Sequence, residues 1–337
     1  MENGWKKVSI KKIAKLANVG SATVDRVLNN RLGVKKNTKL KILNAIEFLE
    51  NNKSEKKNIF LLCQSGNAYN NALKKILNNY LLRQNTIEIN SEFILTKEKI
   101  TEKLKSRILK DNNYDGLIVV STENSTVNEI VNQYTLDNKP VVTLTTDLSR
   151  TNRQAYVGND QVAAGSTAAT LLTSLIKDKK GPILMIISQP FRCQQERELG
   201  FKKILRYDFP QIKIKETIQT TDTSEESYKH VKKYIKENGP PLGIYNITGG
   251  NLGVAEALKD TDSIDVNFIG HELNQNTQFL LNSNRMDYVI SHDVEYELKK
   301  SIELIENFYK NYKLENVKSN ILIFNKHNCP NLEYIHQ

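Results

Sequence analysis

Two groups of residues in this chain have types and spacings suited to recognition or chemistry. Near the start, "NVGSATVDRVLNN" (Asn18 to Asn30) crowds Thr23, Asp25, Arg26 and Asn29 onto the exposed side of a short helix opened by the small residues Ser21 and Ala22. Further on, polar residues stand at the ends of apolar runs. Asp147 closes "VVTLTTD", Asn246 ends "LGIYN", Glu272 follows "FIGH", His292 lies in "VISHD", and Arg197 lies shortly before Gly200-Phe201. A carboxylate accepts two hydroxyl hydrogen bonds while an arginine or amide donates to others, so this set suits a polyol or sugar. Phe191 offers a stacking face, and Gln64 and Asn67 are weaker members of the set. Each has a plainer reading: Asp147 as a helix cap, His292 as a hydrogen-bonded loop histidine, Arg197 as a salt bridge.

Other chemistries are poorly supported. "YNITGGNLGVAEAL" sets glycines between a strand and a helix, as a phosphate loop would, but its spacing is G-G-x-x-G and no Gly-Lys-Ser/Thr is present. It also comes late in the chain, whereas dinucleotide folds place such a loop at their first turn. His271, Glu272, His292 and Cys193 contain the atoms of a metal or nucleophile site, yet no HExxH or paired-cysteine spacing accompanies them. The reading is therefore no catalytic residues, no metal, no cofactor and no enzyme.

The elements that position these residues begin with a charge asymmetry. The chain has 337 residues, 39% hydrophobic, with 7 prolines and a net charge of +10, enough folded material for two or three domains. Residues 1–57 carry 14 Lys+Arg against 5 Asp+Glu, a net of +9, and the remainder carries 34 against 33, a net of +1. A compact basic head on a neutral body suggests a polyanion partner for the head. No apolar run reaches the length of a membrane span, and the start "MENGWKKVSIKKIAKLANV" lacks the pattern of a signal peptide. Cys63, Cys193 and Cys329 are too widely spaced for a disulfide framework or a metal motif. The expected location is cytoplasmic.

The head reads as three helices. Ser9 can cap the first, with Ile10, Ile13, Ala14 and Ala17 facing inward, and Asn18 stops it by adopting the left-handed conformation. The second turns Val24, Val27 and Leu28 inward. Asn37 or Thr38 starts the third, whose inner face is Ile42, Ala45, Ile46 and Leu49. Two short helices joined by a tight turn and braced by a third form a helix-turn-helix.

"VSIKKIAKLANVGSATVDRVLNNRLGVKKNTKLKILNAIEFL" resembles the DNA-binding headpiece of the LacI family of bacterial transcription regulators. The resemblance places Ser21, Ala22 and Arg26 at base-reading positions, Thr23 and Asn29 at phosphate-contacting ones, and Lys35 as a further DNA-binding residue. An arginine fork pairs with guanine O6 and N7 in the major groove, which agrees with that role for Arg26; the alternative is a salt bridge with Asp25 or Glu47. The family usually continues into a hinge helix whose leucine wedges into the minor groove. Here Glu50 to Asn58, "ENNKSEKKN", has no proline, tyrosine or leucine. Without a wedge to offset the cost of kinking, weaker binding or less bent DNA is expected.

From Asn58 onward, apolar strands alternate with helices in two runs of similar length, the pattern of parallel sheets with right-handed crossovers. The fold class is therefore a small all-α helix-turn-helix domain followed by two doubly wound parallel-sheet α/β lobes. This body is similar to the type I periplasmic-binding-protein architecture. The expected domains are 1–50 for DNA binding, 51–57 as a short polar linker without the hinge helix, and 58–337 for the effector. Lobe one is expected at about 58–156 and 288–316, lobe two at about 157–287 and 317–337. The resemblance puts Arg197 at the family's ligand arginine, Glu272 where aspartate is usual and His292 where an amide is common. It implies a cytoplasmic, homodimeric repressor of a palindromic double-stranded DNA operator. The effector, a sugar, polyol or sugar acid, is held between the lobes by Asp147, Phe191, Arg197, Asn246, Glu272 and His292. A sugar-binding protein without DNA function and a nucleotide-dependent α/β enzyme are the alternatives.

Overall fold

Burial of the apolar runs organises the chain into two compact units, Met1–Lys57 and Asn58–Gln337, in the computed structural model. Residues 9–51, 56–83, 87–110, 113–177, 179 and 181–332 are described. The expectation about the tether falls largely on residues 52–55 and lies outside them.

In the first unit, α1 (Ile10–Ala17), α2 (Ser21–Leu28) and α3 (Lys36–Asn51) enclose a core of Ile13, Val24, Val27, Leu28, Ile42, Ala45 and Ile46. Asn18 takes φ 52° at the end of α1, and its N–H reaches back to carbonyls of that helix, so the left-handed stop forms. Gly20 then caps α2. Three expectations need correction. Ile10 is 37% exposed, because the first residue of α1 stands beyond the reach of the other two helices. Ser9 sits at the cap position of α1 but its side chain makes no capping bond. The third helix starts at Lys36, one residue early.

The second unit contains two six-stranded sheets. The first has the order β11-β5-β4-β3-β1-β2, from β1 (Lys57–Ser65), β2 (Ile87–Leu95), β3 (Gly116–Val120), β4 (Val141–Leu144), β5 (Ala155–Gly158) and β11 (Val317–Lys318). The second has the order β12-β10-β9-β8-β6-β7, from β6 (Pro182–Ile187), β7 (Lys213–Gln219), β8 (Gly243–Asn246), β9 (Asn267–His271), β10 (Tyr288–Ser291) and β12 (Leu322–Phe324). Neighbours within the second sheet are parallel except for β12, which runs antiparallel to β10 at the edge. Strands β1, β3, β4 and β6 are apolar on both faces because helices cover both. Helices α4 (Asn67–Leu81), α5 (Glu102–Lys110), α6 (Ser125–Leu136) and α12 (Val294–Phe308) cover the first sheet. The second is covered by α7 (Gln161–Leu175), α8 (Arg192–Asp208), α9 (Ser224–Asn238), α10 (Asn251–Asp260) and α11 (Gln275–Asn282).

The chain passes between the lobes at three points: after β5, after β10, and between β11 and β12. The last two lie elsewhere than the sequence pattern suggests. Strand β10 pairs in parallel with β9, Tyr288 opposite Ile269, so residues 288–291 belong to lobe two. Strand β11 extends the first sheet beside β5, so Val317 and Lys318 belong to lobe one. A short apolar strand reads alike in either sheet, and only the available partner edge decides.

Candidate functional site

The site is built where α7 and α8 touch. A side chain at Gly165 would strike the backbone carbonyl of Arg197, and one at Gly200 would strike that of Val162. Two glycines thus let the helix backbones meet and hold the start of α8 close under the sheet. Phe201, on the inner side of α8, stacks on Tyr245 with ring centroids 4.4 Å apart and an angle of 18°. Arg197 is set between these anchors and is 3% exposed.

Buried charge must be paired, and here the pairing forms a chain. Arg197 donates from Nε to Gln161 Oε1 at 2.7 Å and from NH2 to Glu272 Oε1 at 3.1 Å. The other oxygen of Glu272 lies 3.0 Å from His292 Nε2. On its far side His292 Nδ1 is 2.7 Å from Glu297 Oε1. Burial opposes charge on His292, but Glu297 and then Glu272 outweigh it and hold the imidazole protonated well above its ordinary range. Burial likewise works against ionised Glu272, but His292, then Arg197, keep it well below the usual carboxylate range. His271 differs: burial and the Arg197 charge keep it neutral, and its Nε2 lies 2.7 Å from the Tyr245 hydroxyl.

Backbone strain marks the same region. Thr145, just after β4, has φ 62°, and Glu272, just after β9, has φ 66°. A β-branched residue in the left-handed region costs roughly 1–3 kcal/mol and persists only where its surroundings impose it. Both residues stand at the carboxyl ends of strands, one in each lobe, where open α/β sheets bind ligands. The lobes meet at further points: the Cys193 N–H donates to Thr146 Oγ1 at 3.3 Å, Arg192 reaches Ser149 Oγ at 2.6 Å, and Thr96 Oγ1 donates to Asp222 at 3.2 Å.

Of the sequence-selected residues, the structure brings together Arg197, Glu272 and His292. Asp147 stands apart: its carboxylate is held by both arms of Arg153, by Thr143 and by the Leu148 N–H. Asn246 is fully buried and gives its amide to Gly249 O at 2.9 Å and Asn251 Oδ1 at 2.8 Å, which shapes the turn after β8. Phe191 caps the start of α8 and is 4% exposed. Gln64 is occupied by Ser121 and the Glu98 carbonyl, and Asn67 opens α4 exposed to solvent. The G-G-x-x-G glycines serve packing and a turn. The Gly249 N–H donates to Asp222 at 3.0 Å, and a side chain at Gly253 would strike the Ser224 carbonyl. Cys193 is buried, which pushes its thiol up despite Arg197 nearby.

Several members of the site escape a reading of strand ends. Gln161 bridges Arg197 to the Thr145 carbonyl, at 3.0 Å from the latter. Thr145 Oγ1 donates to Glu297 Oε2 at 3.0 Å. Ser319 donates to Glu297 Oε1. A signal for Glu297 exists: it lies four residues before Ser301 and next to Leu298, on the side of α12 that also buries Ile302 and Ile305. A carboxylate at an inward helical position is out of place unless it is paired.

In the first unit, Ser21, Ala22 and Arg26 are exposed on α2 and Thr23 is half-buried. Asp25 pairs with Arg31 at 3.4 Å rather than with Arg26. Among the described residues Arg26 and Lys35 make no ion pair, which leaves both cations for an external anion. Asn29 directs its amide to the Asp25 carbonyl and carboxylate, at 3.0 and 2.8 Å.

A helix-turn-helix joined to two parallel-sheet lobes with a polar interlobe site defines a ligand-responsive DNA-binding protein. The family described as "Periplasmic binding protein domain" matches residues 101–311, and "Bacterial regulatory proteins, lacI family" matches residues 9–51. The chain belongs to the periplasmic-binding-protein domain family, and its head matches the lacI-family regulatory model. It is 25% identical over 279 residues to the probable HTH-type transcriptional repressor ExuR of Bacillus subtilis, covering 77% of this chain and 80% of that one. In fold it is similar to GanP, a glucose-galactose binding protein from Geobacillus stearothermophilus. The TM-score is 0.72 at 20% identity, over 82% of this chain and 99% of that one. It is also similar to a solute-binding protein from Burkholderia graminis in complex with D-arabinose, with a TM-score of 0.74 at 16% identity over 82% and 97% of the two chains.

Proposed function

We propose that this protein is a cytoplasmic, homodimeric repressor of a palindromic operator, and that its DNA affinity is set by a sugar, polyol or sugar acid bound between the two lobes. The observation that carries this reading is the Arg197–Glu272–His292 chain, in which buried Arg197 and His292 flank a partly exposed Glu272 at the carboxyl end of β9. Oriented donors and an oriented carboxylate, all charged, match the alternating donors and acceptors of a polyhydroxylated ligand. The repressor sign follows the name of the Bacillus subtilis relative. In DNA recognition, Ser21 and Ala22 lie at the opening of α2, Arg26 reads a base edge, and Thr23, Asn29 and Lys35 contact phosphates. Asp147, Phe191 and Asn246 shape the loops around the effector rather than contact it, because the polar groups of Asp147 and Asn246 are already engaged and the ring of Phe191 is buried. Effector binding alters lobe closure and thereby the spacing of two heads on the operator, a coupling between two sites.

The test pairs two measurements on the full chain. Selection from genomic fragments should enrich a palindrome with half-sites about one helical turn apart. Binding to it should fall steeply with salt as lysine and arginine contacts release counterions. A thermal-shift screen of aldoses, polyols and uronic or aldonic acids should find a stabilising compound. A flat salt dependence would sink the DNA reading. Stabilisation by nucleotides alone would restore the enzyme reading.

A further inference from the structure

The interlobe residues do not end in an open chain but close on themselves. Arg197 donates to Gln161, Gln161 Nε2 donates to the Thr145 carbonyl, and Thr145 Oγ1 donates to Glu297 Oε2. Glu297 Oε1 meets His292 Nδ1, His292 Nε2 meets Glu272 Oε2, and Glu272 Oε1 returns to Arg197. This ring lies in one passage between the lobes and is linked to the other two. Gln161 opens the helix that follows the first, His292 lies in the second, and Ser319, which donates to Glu297 from outside the ring, lies in the third. The third passage is also fastened to the first, since the Ser319 N–H donates to the Gly158 carbonyl at 3.0 Å.

Glu297 is the residue common to these links. Its side chain is fully buried in the first turn of α12, on a lobe-one helix, beside Leu298 and Ile302. An apolar side chain would fill that place without the desolvation a carboxylate incurs, so folding alone does not call for a glutamate there. We propose that Glu297 is a positioning residue that joins the effector pocket to the hinge. Its carboxylate gathers His292, Ser319 and Thr145, so a ligand that draws on Glu272 and His292 acts on all three lobe crossings together. Glu297 accepts the Nδ1–H of His292, and on the other side of the ring Nε2 makes a 3.0 Å ion-pair contact with Glu272 without a hydrogen-bond partner of its own among the described residues. The groups facing His292 are Glu297 from α12 and Glu272 from the end of β9, with Arg197 from α8 and His271 behind Glu272. An effector oxygen that takes the place of one Glu272 oxygen reaches the hinge through a single imidazole.

The inference rests on the interlobe reading for its consequence, whereas its test uses no effector, so the two fail separately. In the full chain, Glu297→Gln keeps the shape but removes one of the two anionic partners of His292, leaving Glu272, and its amide can accept from only one of Thr145 and Ser319. Ring nitrogen NMR of His292 should show an imidazolium that loses its proton at lower pH in the variant than in the wild type, since Glu272 alone then remains beside it. Amide exchange at 159–160, 292–293 and 319–321 should accelerate together, by about tenfold, in line with the loss of one charge-assisted hydrogen bond. Ser319→Ala, which leaves every charged group in place and removes only the hydroxyl bond to Glu297, should accelerate exchange at all three crossings by a smaller factor and keeps the idea testable if the first variant folds poorly. A His292 titration unchanged in Glu297→Gln, or faster exchange confined to α12 or to the altered crossing, overturns the proposal.

Discussion

Arg26 and Lys35 are both exposed cations that make no ion pair among the described residues, yet they should behave differently on DNA. Arg26→Ala should relax preference at one base of each half-site and cost about 1–3 kcal/mol on the preferred sequence. Lys35→Ala should weaken all sequences alike and lower the salt slope by about one. Binding measured on a panel of single-base variants at two salt concentrations distinguishes them. In the body, Arg197→Ala leaves the partly buried Glu272 with one cation fewer and should lower the denaturant midpoint, by less than the roughly 3–5 kcal/mol of a fully buried pair because Glu272 keeps some solvent contact and its His292 partner.

The protonation states set the sign of the pH dependence at this scale. Folded Glu272 lies below its unfolded value, so its contribution is present above about pH 4.3 and is lost as pH falls through the folded value. Folded His292 lies above its unfolded value, so its contribution is complete below about pH 6.5 and is lost as pH rises through the folded value. His271, held neutral, works in the opposite sense and costs stability as pH drops below about 6.5. The stability gap between wild type and His292→Gln should therefore narrow towards alkaline pH. The gap to Glu272→Gln should narrow towards strongly acid pH. Urea midpoints across the pH range check both, and gaps that stay constant would contradict the assigned charge states.

At the scale of elements, the crossing of α7 and α8 is the most sensitive contact. Gly165→Ala must push the carbonyl of Arg197 away, so it should destabilise the body by at least about 1–3 kcal/mol and blunt any effector response. Gly33→Ala, at an open position with φ 98°, adds no collision and carries only backbone strain, which makes it a useful contrast. In the head, Ile13→Ala opens a cavity in a core of few residues and should cost about 2–5 kcal/mol. So small a unit has little stability to lose. Operator binding should fail while the thermal transition of the body is unchanged. Helix existence and the inward faces of α2 and α3 were legible because their periodicity is strong and local. Ile10 was misjudged because periodicity says nothing about where a neighbouring helix ends. The lobe membership of β10 and β11 was illegible for a related reason, since short apolar strands carry no mark of the sheet they join.

For the whole molecule, the separation of a +9 head from a nearly neutral body already assigns the polyanion to the first unit. The type of residue at each strand end pointed to Glu272 and His292, because ligand loops in such sheets follow the carboxyl ends, while the family resemblance pointed to Arg197 within α8. Asp147 and Asn246 have the same types at equivalent places, yet Arg153 and Asn251 engage them, and those partners are recognisable only after folding. The sequence by itself determined the basic helix-turn-helix, the two-lobed α/β body and the chemical types at the cleft, since charge, periodicity and strand-end position are local properties of a chain. Only the tertiary structure decided which of those side chains are free and which are paired. It also showed that Glu272 and His292 close a ring through Glu297, because that depends on residues more than a hundred positions apart, such as Thr145 and Glu297, arriving within hydrogen-bonding distance.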